Sequence, residues 1–408
     1  LVAWLAFFGC TPPPASIVGG GASGADAEGP ASFLPGDTAT EPESDDAVFF
    51  ADTGVLVLEI ELDEAAIAAL ARAPTEYVEG ALTFRGERFE PIGVRLKGNS
   101  TYQWLDGRPA WKLKFDEFIP GLRVHDMERL TLNSNYWDGS MMAETLAYRT
   151  WRLAGNPAPR TGYANVSFNG DLYGLYTIVE SMDDQFVDQN WPDSNGGLYE
   201  MCRDCDFNRD CANYSPQDFG EAHDETGLPR ACAAAASGEE SEIRAHFDWE
   251  RLTRYIALEM AANHHDSYSY NLNNYYVYHD PLTDFVTLSP WGADSTWSYS
   301  YPPDEDRPCQ PGYFDTLAYG GGAHLTRWCE ANEACRADVS AHLLDIATLI
   351  EEVDLEGFAA DTEARIAESV AADPRWPWGM DTFRSKAACF QTWIGDRPSQ
   401  LRAYVADR

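Results

Sequence analysis

Positive charge is what this sequence has least of. Its 408 residues carry 29 lysines and arginines against 66 aspartates and glutamates, a formal net charge of -37. A polyphosphate backbone is repelled by such a field unless a local basic patch overrides it, so nucleic acid is not an expected partner. A solvated acidic surface accounts for charge of this size. No internal repeat is present, and the opening apolar run, residues 1–10, is too short to span a bilayer. Against these absences stand 44% hydrophobic and 13% aromatic residues, enough for one large core or two lobes sharing a cleft.

Residues 1–10 are apolar and close on Phe7-Phe8-Gly9-Cys10, with no Met and no preceding basic residue. The expectation is a partial lipoprotein signal peptide whose cleavage leaves Cys10 to carry the lipid; an ordinary signal with a fortuitous cysteine is the alternative. Residues 11–47 are rich in Pro, Gly, Ala, Ser and acids, so they bury too little apolar surface to fold and read as a disordered tether. The chain is expected to be an exported cell-envelope lipoprotein that meets the membrane only through this N-terminal anchor.

Eight further cysteines remain, Cys202, Cys205, Cys211, Cys232, Cys309, Cys329, Cys335 and Cys389. An even number in an exported chain reads as disulfides. Cys202 and Cys205 also have zinc-ligand spacing, so a four-cysteine zinc site with Cys211 and Cys232 stays open.

The folded domain is expected over 48–408, with a sheet-rich part at about 48–180 and a helical part at about 181–408. Asp63 is placed to cap a short helix carrying Ile67 and Leu70. Short strands are predicted over 81–84, 93–97, 111–115 and 129–132; in the third, Trp111, Leu113 and Phe115 face one side and Lys112 and Lys114 the other. A helix is predicted over 140–154. The strands 163–168 and 172–180 form a hairpin around Asn169-Gly170, a pair suited to a turn with positive φ at both centres. The stretch 201–238, with four cysteines, reads as a stapled surface insertion. Helices follow over 249–265, 343–353, 355–370 and 383–404, with strands over 274–278 and 285–288.

Two segments concentrate reactive residue types. In Arg95-Leu96-Lys97-Gly98-Asn99-Ser100, a strand lysine precedes a small-residue turn that could receive phosphate; an exposed strand lysine is the plainer explanation. In the second, Asp266 and Asn271 have the Asp-x-x-x-x-Asn spacing of a kinase catalytic loop, and Asp294 follows the next hairpin where a second metal ligand would stand. The adjacent His264 and His265 at a helix end point apart, one expected buried and one exposed.

The order Gly93-Val94-Arg95-Leu96-Lys97-Gly98-Asn99-Ser100, Trp111-Lys112-Leu113-Lys114-Phe115, Leu130-Thr131-Leu132-Asn133, Asn169-Gly170-Asp171-Leu172-Tyr173-Gly174-Leu175-Tyr176, Asn273-Asn274-Tyr275-Tyr276-Val277-Tyr278 and Pro290-Trp291 resembles the CotH kinase family. The resemblance implies an α+β, atypical protein-kinase-like two-lobed fold, sheet-rich in its N-terminal half and helix-rich in its C-terminal half. It implies ATP with Mg2+ or Mn2+ as cofactors, Lys97 and Lys112 on nucleotide phosphates, Glu180 as a positioning group, Asp266 as the catalytic carboxylate, and Asn271 and Asp294 on metal. One departure stands out: where the family usually has Trp-Asp-x-Asp, this chain has Trp291-Gly292-Ala293-Asp294. The expected function is transfer of the ATP γ-phosphate to Ser or Thr of a secreted or surface protein. A catalytically impaired binding or scaffold module of the cell surface is the alternative.

Overall fold

In a computed structural model, the described residues are 45–98, 101–209, 211–217, 227–297 and 318–408. The expectations for Cys10, the signal peptide and most of the tether lie outside them, as do Asn99, Ser100 and Cys309. Among the described residues, seven strands close a barrel: β1 (Leu56–Glu61), β2 (Val78–Phe84), β3 (Glu87–Lys97), β4 (Ala110–Lys114), β5 (Arg129–Asn133), β6 (Thr161–Phe168) and β7 (Asp171–Glu180). Their order is β1-β2-β3-β4-β5-β7-β6, and a parallel β6–β1 pairing completes the ring.

Alternation builds the barrel. Trp111 and Leu113 of β4 are fully buried inside it with Val94, Leu96, Leu130, Leu132 and Ile178. Lys112 and Lys114 point outward, as the two-residue period demands. The Asn169-Gly170 turn has both residues at positive φ, +48° and +85°. Asn169 also exchanges two hydrogen bonds with the backbone of Leu62, which ties the hairpin to the end of β1. Helix α1 (Glu64–Arg72) starts where Asp63 accepts from the Ala66 amide.

A second apolar cluster lies outside the barrel. It gathers α2 (Ala143–Leu153), α6 (Trp249–Ala262), α9 (Glu333–Glu352), α10 (Leu355–Ala372) and α11 (Gly379–Ala406). The intervening chain supplies α3 (Asp184–Asn190), β8 (Gly197–Glu200), β9 (Ser215–Pro216), α4 (Gly227–Ser237), α5 (Glu240–His246), α7 (Tyr268–Asn271), β10 (Tyr275–Asp280), β11 (Phe285–Pro290) and α8 (His324–Ala331). The sheet β11-β10-β8-β9 belongs to this half. Helix α2 lies early in the chain, yet Leu146, Tyr148 and Trp151 join the second cluster. The result is a mixed protein with a sheet-rich first half and a more helical second half.

The cysteine-bearing stretch departs from the surface insertion expected of it. Cys205, Phe207, Tyr214, Leu228 and Ala231 are buried in the second cluster, because the apolar residues between the cysteines pack inward against Tyr268 and Tyr275. Disulfides join Cys202 to Cys205, Cys211 to Cys232 and Cys329 to Cys335, and Cys389 is also disulfide-bonded. With its four sulfurs paired, the first cluster holds no thiolate for zinc.

One buried ion pair joins the halves. Arg108, between β3 and β4, and Asp373, between α10 and α11, meet at 2.5 Å with side chains 2% and 0% exposed. Arg108 also donates to the Ser134 carbonyl at 2.7 Å and to the Leu175 carbonyl, while Asp373 accepts from the Leu175 amide at 2.8 Å and the Arg375 amide at 2.9 Å. A Cβ at residue 174 would lie 2.1 Å from the Asp373 carboxylate, and Gly174 has φ +113°, so glycine is required there. Removing one partner strands a buried charge: Asp373→Ala should cost about 3–5 kcal/mol in denaturant-induced unfolding, and a loss below about 1 kcal/mol would contradict this account.

Candidate functional site

The outer face of the barrel turns basic along one strip. Arg95 and Lys97 share that face of β3, Lys112 pairs opposite Arg95, and Thr131 pairs opposite Lys112. Lys97 stands at the end of the strip and donates to the Asn133 side-chain oxygen. Asn133 in turn donates to Glu144 at 2.6 Å, so a single amide bridges a barrel lysine to a carboxylate of α2. Glu144 also accepts from the Tyr148 hydroxyl at 3.1 Å. The Lys97 ammonium lies 5.3 Å from the centre of the Trp291 ring.

Helix α2 is aimed by its start. Asp138 accepts from the Ala143 amide at 2.8 Å and from the Ser140 amide and hydroxyl at 2.8 and 2.6 Å. The 3-10 turn Ala293–Ser295 sits on this end: the Ala293 amide donates to the Tyr148 hydroxyl at 3.4 Å and the Thr296 hydroxyl to the Ala143 carbonyl at 3.4 Å. Asp294 is thereby carried toward Lys97 and Glu144.

Opposite them is the loop after α6. Asp266 accepts from Asn271, from Asn273 at 3.1 Å and from Asn274 at 2.8 Å, a carboxylate held by three side-chain amides. The Asp-x-x-x-x-Asn spacing works because the single turn of α7 brings Asn271 back to Asp266, and the left-handed Leu272 that follows, at φ +50°, returns Asn273 and Asn274 to the same carboxylate. His264 is buried and His265 half-buried; the His264 ring lies 3.3 Å from the Gly292 carbonyl.

Burial is the main influence on the charges gathered here. It pushes the Lys97 ammonium below its ordinary value, opposed by Glu144, Asp294 and Glu200. It raises Glu144 and Asp138. Asp294 is pushed well above the usual carboxylate range by burial and then by Glu144, Asp138 and Asp266, with Lys97 opposing. Ionised together, these carboxyls would carry more negative charge than Lys97 balances, so a bound cation would favour their ionised form. Among the described residues, no three His, Cys, Asp or Glu side chains form a ready-made metal cage. Magnesium commonly uses only one or two carboxylates plus phosphate oxygens and water, so the donor set fits that ion with a phosphate ligand rather than alone.

Lys97, Asp266, Asn271 and Asp294 are therefore brought near one another, with Lys112 next along the strip. Glu180 is not. It shares a face of β7 with Ile178, on the barrel side, and is held by Arg160 at 2.6 Å, which also reaches Asp46. The carboxylate beside Lys97 is Glu144. Asn133, Asp138, Glu144, Asn273 and Asn274 were missed as site residues; the available signal was a glutamate amid the apolar run Met141-Met142-Ala143 and Leu146-Ala147.

A strand lysine bridged to a helix glutamate, facing a carboxylate–asparagine loop and a further aspartate, marks the kinase-like class. The family model described as CotH kinase protein matches residues 94–408, and the chain belongs to that family. Inner spore coat protein H of Bacillus subtilis (strain 168) is 24% identical over 187 residues, 41% of this chain and 49% of that protein. The chain thus spans about half the length of the curated relative it matches. Among solved structures, the Helicobacter pylori proinflammatory kinase CtkA aligns with 8% identity and a TM-score of 0.32 over 80% of this chain and 93% of its own. HipA of the Shewanella oneidensis MR-1 toxin–antitoxin system, solved with HipB and operator DNA, gives 12% identity and 0.32 over 86% and 73%. At these TM-scores the likeness carries no argument.

The glycine at 292 is explained locally. Its φ is +51°, and a Cβ there would lie 2.8 Å from the Asn274 side-chain carbon. Asn274 fills the place a second carboxylate would need and spends its amide on Asp266. Gly292→Asp should therefore displace Asn274 and cost about 1–3 kcal/mol in thermal or denaturant unfolding, rather than add a ligand; an equally stable variant with tighter metal binding would refute this.

Burial also pushes the His264 imidazole down to about 4, against Asp266 and the Gly292 carbonyl. Below pH 6.5 the unfolded chain takes up a proton that the folded chain refuses, so this residue lowers stability as pH falls from 6.5 toward 4. His264→Gln should flatten that slope by up to about 1.4 kcal/mol per pH unit. Urea titrations at several pH values read it, and an unchanged slope would show that His264 charges in the folded state.

Proposed function

We propose that the chain is a CotH-type phosphotransferase that binds ATP with Mg2+ or Mn2+ in the cleft between barrel and helices and transfers the γ-phosphate to a Ser or Thr hydroxyl. The observation that carries this reading is the convergence of Lys97, Asn133, Glu144, Asp266, Asn271 and Asp294 from five separate segments onto one place. Lys97 presents its ammonium to phosphate oxygens, positioned through Asn133 by Glu144, and Lys112 continues the positive strip. Asp266 orients the acceptor hydroxyl and takes its proton as the new O–P bond forms and ADP leaves. Asn271 and Asp294 would hold the divalent cation, which when bound would neutralise phosphate charge. Asn271 is exposed and donates to Asp266, so it holds that carboxylate in place beside the acceptor position.

A kinase-like module that binds nucleotide without transferring phosphate is the second reading, favoured by Gly292 and by Asn274 in the place of a second carboxylate. Export to the cell surface is supported by the disulfides and by the spore-coat name of the relative. A lipid anchor at Cys10 and a secreted or surface protein as substrate belong to the same proposal; Glu180, held by Arg160 on the barrel side, takes no positioning role in it. Among the described residues, no helix is long and apolar enough to cross a membrane.

Incubation with labelled ATP and Mg2+ or Mn2+ tests the reading. Phosphate should appear on the chain or an added acceptor, fall about a hundredfold or more in Lys97→Met and Asp294→Asn, and fall about tenfold in Glu144→Gln. Nucleotide binding without transfer in wild type selects the binding module. Undiminished transfer in Asp294→Asn removes the assignment.

A further inference from the structure

Beyond Lys97 the basic strip runs into a pocket of about 200 Å³ whose lining includes Tyr77, Arg95, Lys112, Lys114, Arg129 and Gln217, and no carboxylate. Four cations facing one small pocket are unexpected in a chain of net charge -37, because like charges repel unless something of opposite sign is held between them. Two of the four, Arg95 and Lys112, have no carboxylate partner among the described residues. Lys112 is half-buried and has no hydrogen-bond or ion-pair partner among the described residues. Arg95 stacks on the Tyr77 ring at 5.1 Å and makes one long bond, 3.4 Å, to the Leu96 carbonyl. The Arg129 Nε is buried without an acceptor; its terminal nitrogens reach Glu128 at 3.3 Å and Asp183 at 4.0 Å. Lys114 is also paired, with Glu117 at 2.9 Å and Asp116 at 3.9 Å.

Three adjacent strands fix this geometry. Arg95 and Lys112 are direct cross-strand partners, as are Lys114 and Arg129, so the side chains rise together from adjacent β3, β4 and β5. Burial and the neighbouring Arg95 and Lys97 push Lys112 down to about 8, with Glu200 opposing. A dianion between them would reverse that push.

We propose that this pocket is a binding site for a phosphate-type oxyanion, gripped by Arg95, Lys112 and Arg129 and separate from the place that Lys97 shares with Glu144 and Asp294. Planar guanidinium groups on two sides and an ammonium on the third match a tetrahedral oxyanion. Its source is either a nucleotide phosphate reaching along the strip from Lys97 or free phosphate. The site does not depend on phosphate transfer taking place.

Calorimetric titration of the full chain with inorganic phosphate at low ionic strength tests it. Wild type and Lys97→Met should bind phosphate, with affinity weakened about tenfold or more in Arg95→Gln and in Arg129→Gln. Arg95 has no carboxylate partner among the described residues, so Arg95→Gln keeps the test valid if Arg129→Gln loses stability with its Asp183 and Glu128 contacts. ATP titrated without metal separates the sources: affinity that falls with Arg95→Gln assigns the anion to the nucleotide, and unchanged affinity assigns it to free phosphate. No phosphate binding by wild type, or binding unaltered by Arg95→Gln in a folded protein, overturns the proposal. So does binding lost in Lys97→Met alone.

Discussion

The pairing of Arg108 with Asp373 decides how the helical half meets the barrel. Both groups are shielded from water, and every neighbour they satisfy lies on a different segment: the end of β5, the middle of β7, and the turn between α10 and α11. Arg108 is also flanked by the Tyr176 and Trp376 rings at 5.0 and 5.4 Å. Arg375 extends the joint, donating to the Leu105 and Gly107 carbonyls while it lies over Tyr173 at 3.7 Å. A buried pair is a poor source of net stability but a strict condition on geometry, since any other docking leaves a charge without its partner. The β3–β4 connection anchored there is continuous with Lys97, so the same joint sets the strand lysine against the helical half.

At the other end of that relation is Asn133. A direct lysine–glutamate pair would be the simplest way to tie strand to helix, but an intervening amide relays polarity without neutralising either charge. Lys97 and Glu144 each keep capacity for another partner. Three further asparagines, 271, 273 and 274, serve Asp266 in the same manner. Neutral donors hold a carboxylate in place and leave it anionic, and the cost of crowding charges falls instead on Asp294 and Glu144, whose carboxyls are pushed upward. Asp294 therefore resists ionisation in this setting, and a cation bound beside it would relieve that push.

Local elements were legible in the sequence wherever one period or one turn decided them. The Asn169-Gly170 hairpin, the Asp63 cap and the alternation of Trp111, Leu113 and their lysine neighbours all follow from nearest-neighbour chemistry. Barrel closure was not legible, because β1 and β6 are separated by about a hundred residues and a parallel pairing leaves no turn signal. The site divides the same way. Asp266 and Asn271 lie within one loop, and their relation could be read from spacing. Glu144 could not be linked to Lys97, since only the tertiary fold turns α2 toward the strand; Glu180 attracted the role through its place in a motif, although the parity of β7 points it to the barrel side. The cysteine-bearing stretch was misjudged because its polar composition masked the few aromatics that anchor it.

Closure of the barrel carries a further consequence. The family match begins at Val94, inside β3, whereas the ring is completed by β1 and β2, which lie before it. A shortened chain starting at the match would keep β4, β5, β7 and β6 but leave β6 and the remnant of β3 as open edges, with Leu96, Trp111, Val166 and Ile178 uncovered on the inner face. Unpaired strand edges beside apolar surface are templates for intermolecular pairing. For this protein, the strands that lie before the shared family pattern are the ones that pair the edges of the shared part.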